Sequence, residues 1–233
     1  LTDSYIRRAY ALCRKHDTPP VADEIQTCVW SPEIFMFREY GVTPSIAVVG
    51  KGFPGGEYPA SRILFNAALD TLPLFGALVT NGQEELASLA YLVTLRWAEA
   101  NAEVTGAVGD YYEERLRDLA SRHSGPLASI EGRRHLAGIN FHELGTGRRF
   151  AKILNEAGLD ISVQTYKEGC PPSALTKLPL TAGYEVADVV LARMEEALRA
   201  IDPAAAPHRP STNGRDGRAR ASRRNEKIPR RKS

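Results

Sequence analysis

Two stretches of this 233-residue chain carry side chains suited to chemistry. One is the acidic pair Asp23-Glu24, which follows the short apolar run Val21-Ala22. The other is Lys51, set between Gly50 and Gly52 directly after the run Ser45 to Val49 and ahead of Pro54-Gly55-Gly56. A lysine in a glycine-rich turn at a strand end can cradle a phosphate, but no GxxxxGK[ST] pattern is present, which argues against a P-loop. Its ε-amine can instead act as a nucleophile that forms a Schiff base, provided burial or neighbours depress its pKa. On spacing alone, an exposed turn lysine remains the simpler reading.

The elements that must position these residues follow from periodicity. Both apolar runs are too short for helices and read as buried strands with polar residues at their C-terminal ends, the edge where open α/β sheets bind ligands. Residues 3 to about 16 place Tyr5, Ile6, Ala9, Tyr10 and Cys13 at helical spacing, with Asp3 as the cap, and Pro19-Pro20 end that helix. Pro32 to Tyr40 reads as one short helix closed by Gly41. The longest helical pattern runs from Gln83 to Glu103, with Leu86, Leu89, Ala90, Val93 and Trp97 along one stripe. Beyond it the pattern predicts a helix from about Val108 to Arg122 and a pair of strands within Leu127 to Phe141. A helix near Arg148 to Ala157, a strand at Ile161 to Thr165 and a helix from Tyr184 to Ile201 follow. This alternation suggests a small α/β domain. No internal repeat is visible.

Composition narrows the class. Hydrophobic residues at 43% and charged residues at 25% describe a globular chain with material for a core. No stretch approaches the roughly 18 uncharged apolar residues of a spanning helix. Cys13, Cys28 and Cys170 are too few for a disulfide scaffold and suit a reducing, cytoplasmic compartment. The net charge of +2 conceals an asymmetry: from Pro207 onward eight arginines and two lysines face only Asp216 and Glu226, a net +8 that leaves −6 on residues 1–206. The segment after Asp202 cannot offset its ordering entropy by burial and is expected to be a disordered basic tail. It lacks interleaved aromatics for base stacking, so nucleic-acid binding through it is the lesser reading beside a solvated extension.

Three segments, taken together, resemble the class-III aminotransferases, pyridoxal-phosphate enzymes of fold type I. Asp23-Glu24-Ile25-Gln26 resembles the family's D-E-[VI]-Q strand end. The stretch from Glu39 through Gly50-Lys51-Gly52 to Gly55-Gly56 and Pro59 resembles the block that ends G-K-x-[LI]-x-G-G-x-x-P. Thr80-Asn81-Gly82-Gln83-Glu84-Glu85-Leu86-Ala87 resembles T-F-G-G-N-P-L-A without gaps. The blocks fall in the family's order and spacing, and the resemblance covers roughly residues 3 to 201.

The resemblance implies a cofactor, pyridoxal 5′-phosphate, and roles for named residues. Lys51 matches the lysine that binds the cofactor as a Schiff base and then carries the proton during amino transfer. Asp23 matches the carboxylate that pairs with the pyridine nitrogen and keeps the ring an electron sink. Gln26 matches the glutamine near the phenolic oxygen. Thr80 matches the threonine that reaches the phosphate from a neighbouring subunit, which implies a homodimer with shared active sites; it also fits a helix capping box with Gln83. No chemistry is assigned to Glu24, which reads as a turn support, and no metal ligands are assigned. The partners implied are an amino donor and a keto or aldehyde acceptor.

Read with the family, the fold is α/β: a partial fold type I large domain with a mainly parallel sheet over residues 1–103, a small C-terminal α/β domain over 104–201, and the basic tail over 202–233. Family members carry an N-terminal half ahead of the opening helix, and this chain, which starts Leu-Thr-Asp without Met, reads as incomplete beside them. The expectation is therefore that the chain alone does not form a competent active site. The same residues also fit aminomutase, racemase or decarboxylase relatives, or a non-catalytic remnant that dimerises or binds polyanions.

Three departures from the family pattern bear on substrate. Thr27-Cys28-Val29-Trp30-Ser31-Pro32-Glu33 stands where many members read T-G-x-G-R-T-G, in a loop at the site entrance. Ser45 replaces the aspartate after the proline. In Ser173-Ala174-Leu175-Thr176-Lys177-Leu178-Pro179-Leu180-Thr181, Leu175 or its neighbour occupies the place of an arginine that pairs with an α-carboxylate, and Lys177 offers only a point charge in its stead. An ω-amine, an amino-sugar-like molecule or an aminomutase-type substrate gains weight accordingly.

Overall fold

The computed structural model describes residues 2–56, 58–76 and 84–202. Thr80 and the basic tail beyond Asp202 lie outside the described residues. The chain opens with helix α1 (Asp3–Lys15), whose N-cap is Thr2 and not Asp3: the Thr2 hydroxyl accepts the Tyr5 N–H, and Asp3 occupies the first turn, where a carboxylate favours the helix dipole. Strands β1 (Val21–Asp23), β2 (Ile46–Val49) and β3 (Arg62–Phe65) form a three-stranded sheet in that order. β1 and β2 run parallel with Asp23 opposite Val48, and β3 returns antiparallel to β2.

β2 is buried at Ala47 and Val49, as its apolar run requires. β1 is not a buried strand among the described residues. It sits at the sheet edge with Val21 57% exposed, because only β2 covers it.

The helix expected over Pro32 to Tyr40 shrinks to α2 (Met36–Glu39). Pro32 lacks an N–H, Ile34 takes a left-handed φ of 68°, and the Ser31 hydroxyl accepts the Glu33 N–H, so the chain turns here before it coils. Gly41 does close the segment, at φ 63°.

Helix α3 (Glu85–Ala100) is separated by Asn101 from α4 (Ala102–Arg122), so the long pattern ends earlier than its apolar spacing implied. Its inward face also differs. Ala87, Tyr91 and Ala98 are buried, whereas the predicted stripe points outward, with Leu86 59% and Val93 60% exposed. Ala87 and Tyr91 join Cys28, Val29, Val49 and Phe53 in a small core, where the Phe53 and Tyr91 ring centroids lie 4.9 Å apart.

The remainder builds a second sheet. Strands β4 (Leu127–Arg133), β5 (Leu136–Phe141), β6 (Val163–Gln164) and β7 (Ser173–Lys177) pair antiparallel in the order β4-β5-β7-β6. Helices α4, α5 (Leu144–Glu156) and α6 (Tyr184–Ile201) cover one face and close the larger core, which includes Tyr112, Leu116, Ile139, Phe141, Phe150, Leu154 and Leu198. α5 starts earlier than expected, and the strand expected over Ile161 to Thr165 contracts to two residues. β3 and β7 carry no plain period-2 signal in the sequence.

Among the described residues, no helix is long and apolar enough to cross a membrane.

Candidate active site

Parallel pairing of β1 with β2 brings the two chemically notable segments to one sheet edge. Asp23 ends β1 opposite Val48, and Lys51 lies three residues past that register point, just beyond β2. The Glu24 N–H donates to the Val48 carbonyl at 2.9 Å and extends the pairing up to the turn. Carboxylate and amine thus emerge from the C-terminal ends of adjacent parallel strands, where open α/β sheets place their ligands.

Lys51 adopts φ 50°, a left-handed conformation that costs a non-glycine residue about 1–2 kcal/mol. The surroundings hold it there. Gly50 is buried, and a Cβ at that position would lie 3.2 Å from both Ile25 Cγ1 and Ser61 Cβ, so a larger residue would force the turn outward. After Lys51 the chain makes successive turns, with Phe53 N–H to Gly50 O and Gly55 N–H to Gly52 O at 3.0 Å each. Phe53 anchors the loop in the small core beside Phe35 and Tyr91. The lysine side chain itself is exposed at the sheet edge.

Asp23 is also exposed, and its Oδ1 accepts the Ile25 N–H at 3.1 Å, a local turn that fixes the carboxylate. Glu24, its neighbour, is 4% exposed and serves a different purpose. Its Oε1 accepts the Phe37 N–H at 2.9 Å, its Oε2 accepts the Met36 N–H at 3.3 Å, and the Thr27 hydroxyl donates to Oε2 as well. A buried carboxylate thereby satisfies donors that the start of α2 leaves open, since its own N-cap residue, Phe35, offers no side-chain oxygen.

Gln26 is exposed on the same turn, and its Oε1 accepts a hydrogen bond from Lys177 Nζ at 2.7 Å. Lys177 reaches it from the end of β7. Thr176 faces the core and its hydroxyl bonds the buried Tyr112 hydroxyl at 2.7 Å, so strand alternation turns Leu175 and Lys177 to the outer face.

The loop after Gln26 is tightly held. Cys28 is buried with its Sγ 3.8 Å from the Gly50 carbonyl, and burial pushes its thiol up to about 11, which leaves it protonated and unreactive at neutral pH. Val29 and Ile34, both β-branched, take φ 63° and 68°, and the Val29 N–H donates to the Ile34 carbonyl at 2.6 Å. A cleft of about 900 Å³ opens beside this loop, between Thr27 and the outer face of the second sheet at Leu136, Gly138 and Leu175.

The structure therefore places Asp23, Gln26 and Lys51 on the turns that leave one sheet edge. Thr80 lies outside the described residues. Two residues were undervalued in the sequence. Sequence alone suggests a turn support for Glu24, and the capping of α2 depends on backbone geometry twelve residues away. Lys177 lies more than a hundred residues from Gln26, and no local pattern signals their contact. The donor set fits pyridoxal phosphate: an amine for its aldehyde, a carboxylate for its ring nitrogen and an amide for its phenolic oxygen, with open space rather than protein within 4 Å of a Cβ built on Gly52 or Gly56.

Residues 1–198 match the family described as Aminotransferase class-III. An ornithine aminotransferase from Exiguobacterium sp. is 30% identical over 198 residues, which cover 81% of this chain and 47% of that protein. A diaminobutyrate–2-oxoglutarate transaminase from Streptomyces coelicolor is 27% identical over 179 residues, covering 75% of this chain and 41% of that protein. Among solved structures, ornithine aminotransferase from Plasmodium yoelii superposes with a TM-score of 0.76 at 23% identity, covering 86% of this chain and 53% of its own. The chain spans about half the length of the curated relatives it matches.

Proposed function

Because the chain belongs to the class-III aminotransferases, we propose that it serves amino-group transfer from an amino donor to a keto or aldehyde acceptor, with pyridoxal 5′-phosphate as cofactor and Lys51 as the residue that binds it. The observation that carries the proposal is the placement of Lys51, in a left-handed turn at the C-terminal edge of β2, beside Asp23 at the same edge of β1. When bound, the cofactor supplies a protonated ring that withdraws electrons from the amine-bearing carbon of the substrate. Asp23 would hold the proton on the ring nitrogen, and its local bond to the Ile25 N–H fixes one carboxylate oxygen and leaves the other free of that bond. Lys51 Nζ would bind the cofactor's aldehyde carbon and, when free of it, would move a proton to and from the amine-bearing carbon of the substrate. Gln26 would lie by the phenolic oxygen.

Thr80 would grip the phosphate from a second copy of the chain. The outward stripe of Leu86, Leu89, Val93 and Trp97 on α3, together with exposed Ile63, Leu64 and Phe65 on β3, supports a homodimer, since apolar surface of this extent favours a partner. Residues 1–103 belong to the cofactor-binding domain in this reading and residues 104–201 to a small C-terminal domain. Free cysteines at 13, 28 and 170 suit a cytoplasmic setting. Relatives named for ornithine and diaminobutyrate, each with a terminal amine, point to an ω-amine donor.

The test is incubation of the full chain with pyridoxal phosphate, followed by borohydride reduction and peptide mass spectrometry. The expected result is a visible absorbance band lost in Lys51→Ala, with the reduced adduct located on Lys51. An adduct spread over surface lysines, or a band that survives in Lys51→Ala, would overturn the assignment.

A further inference from the structure

We infer that His135 is a pH-operated latch on the loop that carries Trp30 and Pro32. Its neutral imidazole lets the loop dock against α4 and the β4–β5 turn, and its protonation releases the loop. Three segments meet at this point. The His135 and Trp30 ring centroids lie 6.5 Å apart. Gly109 of α4 packs directly on the imidazole, since a Cβ built there would lie 2.7 Å from His135 Nδ1. One turn earlier, a Cβ on Gly106 would lie 3.2 Å from Pro32 Cγ.

The imidazole is fully buried, and neither ring nitrogen has a hydrogen-bond partner among the described residues. That setting suits a neutral ring and gives a protonated one nothing to donate to. The acids around it are already engaged. Asp110 of α4 pairs with Arg134 Nε at 2.7 Å. Glu113, one turn on, accepts the Arg134 N–H at 2.7 Å and pairs with Arg117. Glu39, at the end of α2, pairs with Arg133 and Arg134. The loop faces the ring with the uncharged indole of Trp30. After β7, the Leu178 N–H donates to the His135 carbonyl at 3.0 Å, while the neighbouring Lys177 ammonium is turned to Gln26. Burial first, and then the Arg134 charge, lowers the His135 pKa from 6.5 to about 4, against an opposite pull from Asp110.

The loop is poised to move. Val29 and Ile34 hold φ 63° and 68°, conformations that β-branched residues keep only where surrounding packing imposes them. Once the loop leaves, water reaches the ring and its ordinary pKa returns, so protons favour the released state. Release therefore grows as the pH falls below 6.5 and levels off below 4, with a gain of about two orders of magnitude between them. The loop follows directly on Gln26, so its release would reach the candidate site; that consequence alone rests on the function proposed above.

The experiment follows Trp30 emission in the full chain carrying Trp97→Phe, which leaves Trp30 as its sole tryptophan. As the pH falls from 7 to 4, emission is expected to lose intensity and shift to longer wavelength as the indole enters water, while helical circular dichroism stays unchanged. His135→Phe and His135→Gln, neither of which titrates, are each expected to abolish the change. A change that survives both substitutions, or no change in the Trp97→Phe background, would overturn the inference. So would loss of helical dichroism over the same range, which marks general unfolding. Loss of intensity without the wavelength shift, which an imidazolium beside a still-docked indole gives, would overturn it as well.

Discussion

Adjacent acidic residues at the end of β1 divide two tasks that their spacing does not separate. Asp23 is exposed toward the sheet edge and available to a ligand, while Glu24 is buried and spent on the backbone of α2. The difference follows from alternation: successive residues at a strand end face opposite sides, and only one side here opens to solvent. Replacing Glu24 with Ala leaves the Met36 and Phe37 N–H groups without an acceptor, and about 2–4 kcal/mol of stability is expected to be lost by denaturant titration. Glu24→Gln, which keeps one carbonyl acceptor, is expected to lose less than half of that. A Glu24→Ala chain as stable as the parent would show that water or the loop satisfies those donors.

At the scale of elements, α3 carries the sharpest disagreement between pattern and placement. Its most apolar stripe is the one turned away from the chain's own core, because the small core beneath it is filled by Phe53, Val49 and Cys28 and admits Ala87 and Tyr91 instead. Periodicity finds an apolar face but does not say which body covers it. If a second copy does, the double substitution Leu89→Arg and Val93→Arg is expected to halve the mass seen by sedimentation equilibrium while helical circular dichroism stays unchanged. A parent chain that sediments as a monomer would remove the homodimer from the proposal.

Across the whole molecule, ion pairs and a buried imidazole lie between the two sheets. The Glu39 carboxylate, at the end of α2, meets both Arg133 and Arg134 on the β4–β5 turn, and Arg133 also meets Asp3 of α1. Next to them His135 is 0% exposed, with neither ring nitrogen hydrogen-bonded among the described residues, and its ring lies 6.5 Å from that of Trp30 on the site loop. Burial, reinforced by the Arg134 charge, pushes its pKa down from 6.5 to about 4. Between those values the unfolded chain takes up a proton that the folded chain refuses, so stability is full above about pH 6.5 and falls as the pH drops toward 4. Below that both states are protonated and the effect saturates, at about 3 kcal/mol. His135→Phe is expected to flatten this slope in urea midpoints measured between pH 7 and 4; an unchanged slope would assign it to other groups.

How much of this was legible in the sequence varies with the range of the interactions. Local spacing drew attention to Asp23 and Lys51, because strand ends and glycine turns are set by neighbouring residues, the resemblance added Gln26, and periodicity traced α6 and the β4–β5 pair closely. Local pattern could not find β3 and β7, whose pairing partners lie far along the chain, nor the shortening of the segment before α2, which depends on left-handed φ angles at Val29 and Ile34. By itself, then, the sequence determined which residues are candidates for the chemistry, since residue type and turn propensity are local properties. Only the tertiary structure decided which of them meet: that Glu24 is buried, that the α3 stripe faces outward, and that Lys177 reaches Gln26 from the other sheet. Those outcomes depend on how two sheets pack, and packing is a property of the whole chain.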